Sequence, residues 1–171
     1  QDEGDYAEAR RLYEESLEIV RVVGDWAGEA KSLHQLGTLA QDEGDYAKAQ
    51  WLYEESLEIA QTVGERSGVA SSLHQLGMLA EDKGDYAEAR RLYDESLEIA
   101  RALGDRAGVA YTLGQLGTLA EAQGNLGRAR ELYEQVRDVS GLMGDRASVA
   151  GALHQLGMLA QAQGDYAEAR R

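Results

Sequence analysis

The chain has 171 residues, no proline, no cysteine and a formal net charge of −14. The lack of cysteine excludes disulfides and thiolate metal sites, and the acidic balance argues against a nucleic-acid partner, because phosphates are bound by clustered Lys and Arg. No apolar run approaches the roughly 20 residues that span a bilayer, and no signal peptide is evident, so we expect a cytoplasmic protein without a membrane partner.

Glycine recurs every twenty residues from Gly4 onward, and each of these glycines is followed by Asp, Asn or Glu. Glycine tolerates the left-handed backbone that ends a helix, and a following Asp or Asn accepts the free N–H groups that begin another. The pattern therefore predicts helices joined by very short turns. In chain order they cover approximately residues 5–23, 25–43, 45–63, 65–83, 85–103, 105–123, 125–143 and 145–163, followed by a partial helix over 165–171.

Alternate helices differ in sequence, so the true repeat is forty residues long. Residues 4–43 and 44–83 are identical at 26 of 40 positions. The odd-numbered helices begin with GDYAEAR or a variant of it, and the even-numbered helices carry LHQLG or, at residues 113–117, LGQLG. A fixed period of this kind indicates a helical array, because neither helix buries its apolar face alone and stacking supplies the core. We therefore expect an all-α chain that forms a single domain over residues 1–171.

Residues 70–100 read ASSLHQLGMLAEDKGDYAEARRLYDESLEIA. This segment resembles a tetratricopeptide repeat, with Leu and Gly in the first helix, Gly and an aromatic residue at the turn, and Ala89 and Tyr93 in the second helix. The long forty-residue form is similar to the repeats of Pins-like polarity adaptors and of arrays attached to bacterial regulatory ATPases. The resemblance implies a right-handed superhelical solenoid of antiparallel helix pairs, with about four repeats. It also implies a non-enzymatic scaffold whose concave groove binds a protein or peptide segment.

In the family layout the first helix of each repeat lines the groove. The residues placed there are Lys31, His34, Gln35, Thr38, Ser71, His74, Gln75, Met78, Tyr111, Gln115, Thr118, His154, Gln155 and Met158. His and Gln side chains both donate and accept hydrogen bonds, so such a wall would hold an extended peptide backbone with little demand on sequence. The alternative is that these are exposed polar positions retained by recent duplication. In the third repeat, Tyr111 beside Gly114 either forms a local pocket for an apolar side chain or reflects drift.

The sequence predicts no metal site, no cofactor and no catalytic residue. His34 and His74 lie on equivalent helices whose axes would be about 10 Å apart, whereas zinc needs ligand nitrogens at about 2.0 to 2.1 Å. No Ser, His and acid stand in a recognisable catalytic arrangement, and no glycine-rich loop follows a strand.

The two ends of the chain share one register, because residues 161–171 match residues 1–11 at nine of eleven positions. The first helix would present Tyr6, Ala9 and Tyr13, and the last full helix would present Leu153, Leu156 and Leu159, without a covering neighbour. Head-to-tail association of two copies is one expectation, and fraying of the ends is the alternative. A self-assembling array and a regulatory segment of a larger protein are therefore kept beside the peptide-binding scaffold as possible functions.

Overall fold

The computed structural model describes the backbone of residues 2–164 and the side chains of residues 6–164. Within residues 2–164 the chain consists of helices and turns, which confirms the predicted all-α class. The helices are α1 (Asp2–Val23), α2 (Trp26–Asp42), α3 (Tyr46–Val63), α4 (Arg66–Asp82), α5 (Tyr86–Leu103), α6 (Arg106–Ala122), α7 (Leu126–Met143) and α8 (Arg146–Ala162). The predicted partial helix over residues 165–171 lies outside the described residues.

The chain divides into two compact units, Gln1–Asp85 and Tyr86–Arg171. Unit 1 contains α1 to α4 and unit 2 contains α5 to α8. In each unit, consecutive helices pack against one another through connections of two or three residues, and such short connections make them antiparallel. The single domain and the right-handed superhelix stay predictions.

The turn between α1 and α2 shows how glycine and the residue after it act together. Gly24 has a φ of +74°, and the Asp25 amide donates to the Val20 carbonyl at 2.9 Å. The Asp25 carboxylate then accepts the Gly28 amide at 2.9 Å, so one residue closes the first helix and caps the second. The same capping bond recurs at the start of α3, α4, α6, α7 and α8.

The predicted start of α1 at residue 5 is wrong, because the helix begins at Asp2 and runs through Gly4. Elsewhere the left-handed glycine joins two packed helices, whereas residues 2–3 are too few to form a helix that would need closing. Glycine in a helix interior costs only about 1 kcal/mol relative to alanine, so α1 continues through Gly4.

Tyrosine rings pack directly on helix glycines in both units. A Cβ at Gly37 of α2 would lie 2.7 Å from Cε1 of Tyr53 in α3, and Tyr53 is fully buried. The Tyr53 hydroxyl donates to the Gln41 side-chain oxygen at 2.9 Å. A buried aromatic ring therefore contributes apolar contact to the core while its polar end is satisfied.

Two serines connect three helices of unit 1. The Ser56 hydroxyl of α3 donates to the Ala30 carbonyl of α2 at 2.8 Å, and the Ser72 hydroxyl of α4 donates to Ser56 at 3.1 Å. Both hydroxyls are buried, so these bonds satisfy groups that would otherwise be costly in the core. In unit 2, Val136 and Ala152 stand in the corresponding places.

Candidate binding surfaces

A cavity of about 570 Å³ opens between α2, α3 and the beginning of α4. We call it the unit-1 cavity. Its lining residues are Asp25, Ala27, Gly28, Ala30, Lys31, His34, Gln35, Ser56, Glu65, Ser67, Gly68 and Ser71. Four of them, Lys31, His34, Gln35 and Ser71, were predicted to line a groove. The even-numbered helices supply these four from one face, because they lie three, four or forty residues apart.

The unit-1 cavity has a polar wall with both signs of charge. The pKa of Glu65 lies below its usual value, and the main cause is the hydrogen bond from the Ser67 hydroxyl. The backbone amides of Gly68 and Ser67 and the Lys31 ammonium also lower this pKa, whereas burial raises it. Burial lowers the pKa of His34, so its imidazole is neutral at pH 7. The His34 ring lies 5.2 Å from the Tyr53 ring, measured between centroids. The cavity is therefore lined by one cation, Lys31, by the two carboxylates Asp25 and Glu65, and by a neutral imidazole.

A second cavity, of about 630 Å³, opens between α6, α7 and the beginning of α8. We call it the unit-2 cavity. Its lining residues are Ala107, Ala110, Tyr111, Gly114, Gln115, Thr118, Tyr133, Val136, Met143, Asp145, Ser148, Gly151, Ala152 and Gln155. Tyr111, Gln115, Thr118 and Gln155 are predicted groove residues. Tyr111 is 55% exposed, so its ring is open to a ligand.

The two cavities occupy equivalent places, because most of their lining residues correspond after a shift of 80 positions. Asp145 corresponds to Glu65, and its carboxylate accepts the amides of Ala147 and Ser148, both at 3.1 Å. Several sequence differences between the two units make the unit-2 cavity and its surroundings less polar. Tyr111 replaces Lys31, Gly114 replaces His34, Val136 replaces Ser56, Gly151 replaces Ser71 and Ala152 replaces Ser72.

The remaining predicted groove residues do not line either cavity. Thr38, Gln75 and Met78 are half-buried, whereas His154 and Met158 are exposed. The Thr38 hydroxyl donates to the His34 carbonyl at 3.2 Å, so it is engaged within its own helix. His74 was expected to line an exposed groove, but it is buried, with only 6% of its surface exposed. Burial lowers the pKa of His74 to about 4.

Sequence reasoning did not identify several other residues that border the cavities. Among them are the cap residues Asp25, Glu65 and Asp145, with Val136 and Met143 from α7. The capping pattern gave a local signal for Asp25, Glu65 and Asp145, but it did not indicate that their carboxylates also border a cavity. Val136 and Met143 carried no sequence signal beyond helix periodicity.

The terminal helices expose apolar side chains that are buried at equivalent positions elsewhere. Leu12 of α1 is 49% exposed, whereas Leu52 is 3% exposed; Leu153 of α8 is 52% exposed, whereas Leu33 is 1% exposed. Of the predicted end faces, Tyr6 is exposed, and Ala9, Tyr13 and Leu156 are half-buried. Leu159 differs from the expectation because it is buried. Six residues rotate it by about 120° from Leu153 around the helix.

Within the described part of the chain, no three His, Asp or Glu side chains form a group suited to holding a metal ion. Among the same residues, no helix is both long enough and apolar enough to cross a membrane.

The fold and the ligand-sized cavities define an all-α helical-repeat protein of the kind that presents binding surfaces. A tetratricopeptide repeat family model matches residues 1–62 and 68–140, and a second tetratricopeptide repeat model matches residues 149–171. The chain belongs to the tetratricopeptide repeat family, whose members generally mediate protein interactions and scaffolding.

Solved structures agree with this fold. The chain is similar to BtubC (BKLC) from P. vanneervenii, at 26% identity and a TM-score of 0.88, over 99% of this chain and 71% of that chain. It is also similar to nearly identical TPR-like repeats from Podosopora anserina, provisionally described as a kinesin light chain, at 23% identity and a TM-score of 0.74, over 98% of this chain and 83% of that chain. A comparison with curated proteins gives no significant match.

Proposed function

We propose that this chain is a non-enzymatic scaffold whose unit-1 cavity and unit-2 cavity each bind a peptide segment of a partner protein. The observation that carries the proposal is that eight of the fourteen predicted groove residues line these two cavities. Both volumes fall within the roughly 300 to 1,000 Å³ of typical ligand sites. In each cavity a glutamine, Gln35 or Gln115, offers both a donor and an acceptor to a peptide backbone.

The test is selection of peptides from a proteome-derived display library, followed by calorimetric measurement of Kd for the retained peptides. We expect the double variant Gln35→Ala/Gln115→Ala to weaken binding about fivefold at each cavity, because the hydrogen bond lost there contributes about 1 kcal/mol. The matched control is Arg91→Ala/Glu95→Ala, an exposed ion pair on α5, which we expect to leave Kd unchanged. Loss of binding in the control with no change in the glutamine variant would contradict the proposal.

We propose head-to-tail association of two copies as a second candidate function. Gly37 and Gly117 each pack against the ring of a tyrosine sixteen residues later, whereas a Cβ at Gly157 would lie in open space among the described residues. Tyr13 occupies the same repeat position as those tyrosines. In this proposal α1 of one copy docks on α8 of another, so that Tyr13 lies on Gly157 and Leu12 covers Leu153.

Sedimentation velocity over a range of concentrations tests the association. We expect the average mass to rise with concentration, and we expect Gly157→Leu to suppress that rise by filling the place of the Tyr13 ring. Gly141→Leu is the matched control, because a Cβ at Gly141 is also in open space. A monomeric profile at every concentration would exclude this mode of association. An equal effect of Gly157→Leu and Gly141→Leu on the average mass would also exclude it.

A further inference from the structure

The unit-1 and unit-2 cavities differ in the origin of their positive charge. In unit 1 the chain supplies its own cation, since Lys31 lines the cavity with Glu65 and acts electrostatically on that carboxylate. In unit 2, Tyr111 stands in the place of Lys31 and Asp145 in the place of Glu65. Among the described residues that line the unit-2 cavity, Asp145 alone carries a charge. Unit 2 therefore keeps the anion of the pair and replaces the cation with an exposed aromatic ring.

We propose that the unit-2 cavity receives an arginine side chain of the bound peptide, an assignment that rests on the proposed peptide-binding function. The guanidinium lies between the Tyr111 ring and the Asp145 carboxylate, where it replaces the charge that Lys31 supplies in unit 1. A planar guanidinium stacks on an aromatic face and pairs with a carboxylate, which an ammonium does less well. The formal net charge of −14 also favours a basic segment over an acidic one.

Asp145 retains acceptor capacity for this contact. Its Oδ1 atom accepts the amides of Ala147 and Ser148, and the Ser148 hydroxyl also bonds this carboxylate. A carboxylate offers about four acceptor sites on its two oxygens, so these three bonds leave a site that accepts from a ligand.

The unit-2 cavity also has room for the aliphatic part of the side chain. Gly114 replaces His34 and Gly151 replaces Ser71, and among the described residues a Cβ at either glycine would lie in open space. Val136 replaces Ser56 and brings an apolar surface into the wall. An arginine stem packs on apolar surface while its head stays polar. The wall therefore matches both halves of an arginine, whereas a leucine would match only the apolar half.

The test is an NMR titration of the full ¹⁵N-labelled chain with N-acetyl-L-argininamide and, separately, with N-acetyl-L-leucinamide, at about 0.15 M salt to screen non-specific attraction. We expect saturable shifts of the Gly114 and Gly151 amide signals, with Kd at least fivefold lower for the arginine probe. Gly68 and Ser71 of the unit-1 cavity report binding that is not specific to unit 2. Equal or tighter binding of the leucine probe overturns the assignment, as does an equal response at Gly68 and Ser71.

Two variants test the roles of the ring and the carboxylate. Tyr111→Lys recreates the unit-1 arrangement, and we expect it to weaken argininamide binding at least tenfold, whereas Tyr111→Phe keeps an aromatic face and most of the affinity. Asp145→Asn removes the charge but keeps a good helix cap, and we expect at least a fivefold loss. Unchanged affinity in both Tyr111→Lys and Asp145→Asn, with helix content retained, would disprove the assignment.

The outcomes separate this inference from the function on which it rests. If library peptides bind but argininamide leaves Gly114 and Gly151 unaffected, the arginine assignment fails and the scaffold function remains. If argininamide binds as described but no peptide is retained, the proposed peptide-binding function fails and the cation site remains.

Discussion

Gly117 of α6 lies against the ring of Tyr133 in α7, so closely that a Cβ at Gly117 would be 2.6 Å from Tyr133 Cε1. Tyr133 is 3% exposed, and its hydroxyl donates to the Glu121 carboxylate at 2.6 Å. Gly117 is therefore required by the packing of two helices, since any side chain there would displace a buried, hydrogen-bonded ring.

We expect Gly117→Ala to lower the free energy of unfolding by about 1 to 3 kcal/mol, because overpacking outweighs the gain in helix propensity. Gly114→Ala, three residues earlier in the same helix, adds a methyl in open space and should stabilise by up to about 1 kcal/mol. Urea titration followed by circular dichroism gives both values. Similar effects of the two alanines would mean that the Tyr133 contact does not limit the residue at position 117.

The ion pairs of α1 should differ in their contribution to stability. Arg21 donates to the Glu29 carboxylate at 2.7 Å, and Glu29 is only 9% exposed. We expect Arg21→Ala to destabilise by about 1 to 3 kcal/mol, because it leaves a buried carboxylate without this donor. Arg11→Ala removes exposed pairs with Glu8 and Glu15 and should cost about 0 to 1 kcal/mol. Urea midpoints at low and moderate salt would show the difference, and an equal loss in both variants would contradict it.

The capping carboxylate of α6 should stabilise mainly the first turn of that helix. Asp105 accepts the Gly108 amide at 3.0 Å, so Asp105→Ala should cost about 1 kcal/mol, whereas Asp105→Asn keeps an acceptor and should cost little. Amide hydrogen exchange would place the loss of protection in the first turn of α6. A comparable loss of stability in Asp105→Asn would indicate that the charge of Asp105, and not its capping hydrogen bond, stabilises the helix.

His74 should make stability depend on pH. Its pKa is lowered from 6.5 to about 4 by burial, so the unfolded chain binds a proton at a higher pH than the folded chain does. The His74 contribution is fully present above about pH 6.5 and is lost as the pH falls towards 4. We expect a decrease on the order of 3 kcal/mol across that range, since each pKa unit corresponds to about 1.4 kcal/mol.

The His74 effect is isolated by comparing unfolding at pH 7.5 and 4.5 in two variants. His74→Gln should reduce the pH dependence, whereas His154→Gln, at an exposed position, should retain it. If both variants keep the full dependence, the acid sensitivity arises from other groups.

The sequence alone determined the all-α class, the forty-residue period and, to within one residue, every helix end except the start of α1. Helix ends depend on local chemistry, as at Gly24 and Asp25, where a left-handed glycine and a capping carboxylate act within a few residues. The start of α1 was mistaken because the glycine signal at Gly4 has that effect only where it joins two packed helices.

Only the tertiary structure decided which repeated residues face a cavity and which are buried. His34 and His74 occupy the same position in successive repeats, yet His34 lines the unit-1 cavity and His74 is 6% exposed. Likewise, Tyr111 of α6, Val136 of α7 and the α8 N-cap Asp145 border one cavity. Burial and cavity shape depend on how neighbouring helices pack, and a periodic sequence repeats the positions without specifying the neighbours of each copy.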